Sequence, residues 1–323
     1  MIKRSVLVCL VLVSGGALAD TTTPDEWLDR MSTVVSTIDF EGTVIRRRDG
    51  QAEALKVVRK IVDGVSHERL VSQEGNGLEI IRYGNEVHCI LPDKKSVLVD
   101  FWSDDSTLFS ALPGGEVPVG SDYDLSVVRN DRVAGRAAVL LAVRPHDGYR
   151  YGHRIWLDRE TAFPLRTELV GSDGALLEQL KFADITLDSE ISAQALKPSV
   201  DLAGFTWYPE PARVEPVEAQ TNWVSDDLPT GFRVVSATEE ALTDGGVSVT
   251  HIMISDGLAH ISVFIADKSD PEVAERTVAG NTAVGGNAAN SHSVQDGDHL
   301  ITAIGEVPPV TVRRVANSMR LLP

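Results

Sequence analysis

Apolar positions change their spacing once near the N-terminus, and that change organises the rest of the chain. Between Thr23 and Ile38 they fall at helical intervals, with Trp27, Met31, Val34, Val35 and Ile38 on one side. Thr23-Pro24-Asp25-Glu26 stands ahead of them as a capping box with proline in the first turn, so one amphipathic helix is predicted to start the folded region. Beyond Ile38 the period drops to two. Strands are predicted at Phe40 to Arg48, Ala52 to Ile61, Ser66 to Ser72, Leu78 to Tyr83, Val87 to Leu91 and Ser96 to Phe101. Asp-Gly pairs recur at 49, 63, 147, 173, 244, 256 and 296, with Gly84-Asn85 as a further turn, and such pairs supply the positive φ angles of two-residue hairpins. Short strands joined by tight turns predict an antiparallel meander.

A second meander is predicted from Tyr123 to Leu187, including Ala137 to Val143, Tyr151 to Leu157, Leu165 to Leu169 and Leu176 to Phe182. Between the two, Asp104 to Leu112 reads as a short helix closed by Pro113-Gly114-Gly115. One helix laid on a long curved sheet gives an open or closed barrel. The text YPEPARVEPVEAQ then has the composition of a semi-rigid linker. The expected organisation is a leader at 1–19, a large domain at 20–206, a proline-rich linker at 207–219 and a small domain at 220–323. In the last of these, Pro308-Pro309 followed by Val312, Val315 and Met319 predicts a terminal helix.

The leader has Lys3-Arg4, an apolar run from Val6 to Val13 and the small-residue stretch Ala17-Leu18-Ala19, which is the pattern of a secretory signal peptide. Its apolar run is too short for the ~20 residues of a spanning helix. Export of a soluble protein is expected. Losing Lys3 and Arg4 would make the formal charge of −17 two units more negative. Such a surface repels nucleic acid, whose phosphates need clustered Lys and Arg, so no nucleic-acid partner is expected. Cys89 is the one cysteine beyond the leader, which leaves no internal disulfide to form.

Several stretches offer the residue types of a reactive site. HIMISDGLAHISVFIAD, residues 251–267, gathers two histidines, a serine and an aspartate. A hairpin turning on Asp256-Gly257 explains it better. It would place His251 and His260 as diagonal neighbours on one sheet face, with Ile252, Ile254, Ala259, Ile261 and Val263 as an apolar stripe on the other. Neither a metal site nor a catalytic triad follows, since no carboxylate joins the histidines and Asp256 forms the turn. His88 and Cys89 are adjacent in a strand and point to opposite faces, so the imidazole cannot activate the thiol. Arg46-Arg47-Arg48 with Lys56, Arg59 and Lys60 forms a basic patch in an acidic chain. It is either a solvated hairpin or a docking surface for phosphate or carboxylate, with Arg46, Arg48, Lys56 and Arg59 as candidate contacts. Trp27, Trp102, Phe109 and Trp156 could line an apolar groove or fill a core. No glycine-rich phosphate loop, Cys-x-x-Cys pair, His-Glu-x-x-His or Gly-x-Ser-x-Gly occurs. No enzyme, catalytic residue, metal ligand or cofactor is expected.

Five stretches together resemble the RseB/MucB family of periplasmic regulators of the sigma-E pathway. They are IRYGNEVHCILPDKKSVLVD (81–100), RVAGRAAVLLAVRPHDGYRYGHRIWLDRETAFPLRTELVGSDGALLEQLKFADI (132–185), LPTGF (228–232), HIMISDGLAHISVFI (251–265) and ITAIGEVPPVTVRRVANSM (301–319). The resemblance implies an α+β fold: an N-terminal unclosed antiparallel β-barrel like the lipoprotein carriers LolA and LolB, packed with helices, plus a smaller C-terminal mixed α+β domain. It implies a periplasmic, non-catalytic regulator that binds the periplasmic part of a membrane-spanning anti-sigma factor and shields it from proteolysis. The result is repression of sigma-E-dependent transcription, relieved by a lipid or lipopolysaccharide. A lipid or lipoprotein carrier of LolA type is the alternative, and a homodimer is compatible with either.

Overall fold

Thr23 starts the first helix in the way its neighbours require. Its hydroxyl accepts the Glu26 N–H at 3.3 Å, and the Glu26 carboxylate accepts the Thr23 N–H at 2.7 Å, which satisfies two otherwise orphaned donors. The computed structural model describes residues 22–48, 50–101, 108–109, 112, 121–209, 217–218, 221–241, 248–267 and 289–322. The leader, Trp102 and, except for 108, 109 and 112, the expected helix from Asp104 to Leu112 lie outside them.

After α1 (Pro24–Thr37) come β1 (Phe40–Arg48), β2 (Gln51–Val62), β3 (Val65–Ser72), β4 (Glu79–Tyr83), β5 (Glu86–Leu91) and β6 (Ser96–Phe101). The second meander contains β7 (Tyr123–Val133), β8 (Arg136–Pro145), β9 (Gly152–Asp158), β10 (Pro164–Val170) and β11 (Leu176–Leu187). The turns explain the meander. Asp63 and Gly64, at φ 52° and 80°, join β2 to β3 with Val62 opposite Val65, and Ala134 and Gly135, at φ 48° and 75°, do the same between β7 and β8. The two meanders meet where β1 pairs antiparallel with β11, Phe40 opposite Leu187. A twelve-stranded sheet results, in the order β12-β6-β5-β4-β3-β2-β1-β11-β10-β9-β8-β7, where β12 is Thr206–Pro209. Its edge strands β12 and β7 do not pair with each other, so the sheet stays unclosed.

Phe40, Phe163 and Phe182 pack with Phe109 at centroid separations between 4.9 and 6.4 Å to form the centre of the main core. From α1, Trp27, Leu28 and Met31 pack with Val139, Leu141, Ile155 and Leu157. The chain after β11 covers part of a sheet face, with Ile191 and Leu196 on Val58, and Val200, Leu202 and Phe205 on Ile81, Ile90 and Val97.

The second unit contains β13 (Val217–Glu218), β14 (Trp223–Ser225), β15 (Arg233–Ala241), β16 (Ser248–Ser255), β17 (His260–Asp267), β18 (Asn290–Asp296), β19 (His299–Gly305), α2 (Pro309–Ser318) and β20 (Met319–Leu321). Six strands form one sheet, β13-β15-β16-β17-β19-β18, and β14 pairs with β20. Val312, Val315 and Ala316 of α2 pack on Ile252, Ile254, Ile261, Val263, Ile301 and Ala303. Among the described residues, no helix is long and apolar enough to cross a membrane.

Two sequence-based details need correction. Residues 207–209, read as the start of the linker, are strand: Trp207, Tyr208 and Pro209 run parallel to Val97, Leu98 and Val99. Proline is tolerated there because β12 is an edge strand. The hairpin at Asp256 is not a two-residue turn. Ser255 pairs with His260 and His251 with Phe264, which leaves a four-residue loop, 256–259.

Candidate functional site at the joint between the two sheets

Strand alternation divides the expected basic patch. Arg46 and Arg48 share a face of β1 with Phe40 and Val44. The Arg46 Nε donates to Glu53 Oε1 at 2.6 Å, and the Arg48 Nη2 donates to Glu178 Oε1 at 2.7 Å. Arg59 lies opposite Phe40 on that face and is 1% exposed beside Glu68, at 3.6 Å. Lys56 pairs with Thr43, so its exposed side chain leaves the opposite face. The four residues therefore do not form one surface. The expected aromatic groove is divided in the same manner: Trp27 packs with Ile155 and Leu157, while Trp156 between them points the other way. The Trp156 indole donates to Asp131 Oδ2 at 2.8 Å and carries the Arg166 guanidinium over its ring. Trp27, Phe109 and Trp156 are all buried.

His251 and His260 do not meet either. With the four-residue loop they sit four positions apart along the ladder, about 13 Å at ~3.3 Å per residue. His251 instead stacks on Phe264, with ring centroids 4.5 Å apart.

Asp256 has a larger role than forming a turn. Its Oδ1 accepts the Leu258 and Ala259 N–H groups at 3.0 and 2.8 Å and shapes the loop. Its Oδ2 accepts the Tyr123 hydroxyl at 2.8 Å and the Arg150 Nε, both from the large sheet's unit. Arg150, in the loop between β8 and β9, is fully buried. Its remaining nitrogens donate to Asp147 Oδ2 and to the Thr230 carbonyl oxygen, and its guanidinium lies 4.7 Å from the Phe232 ring centroid. Gly231, at φ 83°, is required here: a Cβ would collide with the Asp122 carboxylate and approach Arg150. Around this centre Thr311 Oγ1 donates to the Tyr149 carbonyl at 2.8 Å, Asn290 Nδ2 donates to the Tyr151 hydroxyl oxygen at 3.1 Å, and Leu258 packs on Tyr123 and Val143. Ion pairs and hydrogen bonds thus dominate the joint, with a small apolar cluster beside them.

Electrostatics agree with this geometry. Burial opposes the Arg150 charge, but its hydrogen bond to Asp256 and the charges of Asp256 and Asp147 outweigh it and hold the pKa above the ordinary value. Burial and Asp256 push the Tyr123 hydroxyl far up, so it remains a donor. Burial raises Glu306, and Glu178 raises it further while Arg48 opposes. Arg48, a candidate contact of the basic patch, therefore acts on a carboxyl group of the second unit. Burial holds His153 neutral down to about 4, against the pull of Asp256. An unfolded chain binds that proton already below 6.5. Stability from neutral His153 is thus complete above 6.5 and is lost as the pH falls towards 4. The urea midpoint should drop between pH 7 and 5, and His153→Gln should drop less; an equal drop in the variant would remove His153 from the cause.

Sequence inspection missed Arg150, Tyr123 and Gly231 as a set because no spacing links them. The shared signal is that four of the stretches that carry the family resemblance, around 147–153, 228–232, 256–258 and 306–314, meet at this joint.

Comparisons with known proteins point the same way. The MucB/RseB N-terminal domain model matches residues 23–200 and the MucB/RseB C-terminal domain model matches 217–320. The sigma factor AlgU regulatory protein MucB of Pseudomonas aeruginosa is 30% identical over 321 residues, covering 98% of both chains. The sigma-E factor regulatory protein RseB of Escherichia coli K12 is 26% identical, over 91% of this chain and 89% of that relative. Among solved structures, the complex of P. aeruginosa MucA and MucB contains a chain matching 93% of this one and 99% of its own length, at TM-score 0.65 and 26% identity. With both of its units matched in order by models of one family, the chain belongs to the MucB/RseB family of sigma factor regulatory proteins.

Proposed function

We propose that the protein acts in the periplasm as a non-catalytic regulator. It binds the periplasmic part of a membrane-spanning anti-sigma factor, protects it from regulated proteolysis and so represses sigma-E-dependent transcription. A lipid or lipopolysaccharide is the releasing signal. The observation that carries this is the match over nearly the whole chain to MucB, a protein solved with MucA. A second sheet attached through a specific buried joint also favours a regulator over a carrier working with one half-barrel. An acidic peptide or headgroup can reach Arg46 and Lys56, whereas Arg59 is enclosed.

A pull-down with the periplasmic segment of the cognate anti-sigma factor, followed by a cleavage-protection assay, tests this. Complex formation and slowed cleavage are expected. Absence of both would overturn the proposal, and binding without protection would remove the shielding step.

A further inference from the structure

Four aromatic side chains are strongly exposed among the described residues, and all lie towards one end of the large sheet: Tyr83, Phe101, Trp207 and Tyr208 are 38, 48, 45 and 53% exposed. Leu98, 43% exposed, stands among them. Their arrangement follows from the register. Tyr208 lies beside Leu98 on one face of the β6–β12 edge, while Trp207 lies beside Val97 and projects to the other face, which Phe101 shares two pleats on. The Trp207 ring leans edge-on against His88, with centroids 5.3 Å apart. At the start of the edge, Thr206 donates its N–H to the Lys95 carbonyl at 2.8 Å, which places the exposed pair Lys94-Lys95 next to Trp207. Asp93, Asp100 and Glu86 are the nearby acids, and Glu86 is engaged with His88 at 2.5 Å.

We propose that this edge docks on a phospholipid surface, with Phe101, Trp207, Tyr208 and Leu98 entering the headgroup layer and Lys94 and Lys95 meeting the phosphates. Exposure on both faces of one edge decides between partners. A rigid protein lying on either face would leave half of these side chains in water, whereas edge-on entry into a deformable layer covers them together. Strand addition fits poorly, because β12 has four residues and Pro209 offers no N–H. Tyrosine and tryptophan suit a boundary where one part of the ring is apolar and the other wet, and lysine beside them supplies charge complementarity to phosphate. β6, which carries the edge, runs for six residues, roughly 20 Å at ~3.3 Å each, long enough for such a contact.

The test is flotation with phosphatidylcholine–phosphatidylethanolamine vesicles, with and without phosphatidylglycerol. The chain should begin at Asp20, so that the apolar run from Val6 to Val13 cannot contribute. Association with both vesicle types is expected. The triple variant Phe101→Ser, Trp207→Ser, Tyr208→Ser should bind about tenfold less or weaker still, and Lys94→Glu with Lys95→Glu should lose any increment due to phosphatidylglycerol. Wild-type protein that fails to float, or a folded triple variant that floats undiminished, would overturn the proposal. Circular dichroism verifies folding of the variants. Anti-sigma pull-down of the triple variant keeps the outcome separate from that of the regulatory function.

Discussion

Asp256→Ala is expected to destabilise the protein by about 3 kcal/mol, near the lower end of what breaking a buried ion pair costs. The alanine would leave Arg150 buried with Asp147 and the Thr230 carbonyl as its main remaining partners, and it would also strip the loop of the two N–H contacts to Oδ1. Asp256→Asn separates these effects, because an amide oxygen can still accept from the loop but brings no charge to Arg150. Tyr123→Phe should lose only one hydrogen bond, about 1 kcal/mol. Replacing both Arg150 and Asp256 by apolar residues should be far less damaging than either single change added to the other. Urea unfolding gives the stabilities, and limited proteolysis between 210 and 216 reports whether the units stay docked. Unchanged stability and unchanged cleavage in Asp256→Ala would show that the joint is held by something else.

Phe40→Ala should cost about 3–5 kcal/mol through lost burial and an unfilled cavity. Phe40 is fully buried, and it touches Phe109, Phe163 and Phe182 from the strand at which the two meanders meet. Its removal weakens both halves of the large sheet. The contrast with Asp256→Ala is informative: Phe40→Ala should lower the urea midpoint of the large unit without opening the joint ahead of that transition, and Asp256→Ala should undock the units with the large core intact. A loss below about 1 kcal/mol for Phe40→Ala would mean the core collapses around the gap.

Much of the architecture was legible in the sequence because its determinants are local. A capping box needs only four consecutive residues, and β1 and β6 run over the residues expected from alternation alone. Turn placement was less secure where side chains rather than φ angles decided it. Asp256 looked like half of a two-residue turn, yet its carboxylate holds a longer loop and reaches across to Arg150. The basic cluster divides for a related reason: sequence proximity gathers Arg46, Arg48, Lys56 and Arg59, whereas the two-residue period separates Lys56 from the rest and Glu68 meets Arg59 in the interior. The joint was not legible at all. Its members come from six separate segments, around 122–123, 147–151, 230–232, 256–258, 290 and 311, and nothing local in Arg150 or Gly231 announces that they meet.

The pairing of β1 with β11 also fixes an order of events during folding. Phe40 cannot find Leu187 until almost the whole large unit is available, so β1 has one free edge while the intervening strands form as hairpins. Non-local closure of this kind slows folding and prolongs exposure of an unpaired edge. For a chain that emerges N-terminus first, the first strand made is therefore among the last to be fully paired, and the edge exposed for longest during folding is one that the finished sheet buries at its centre.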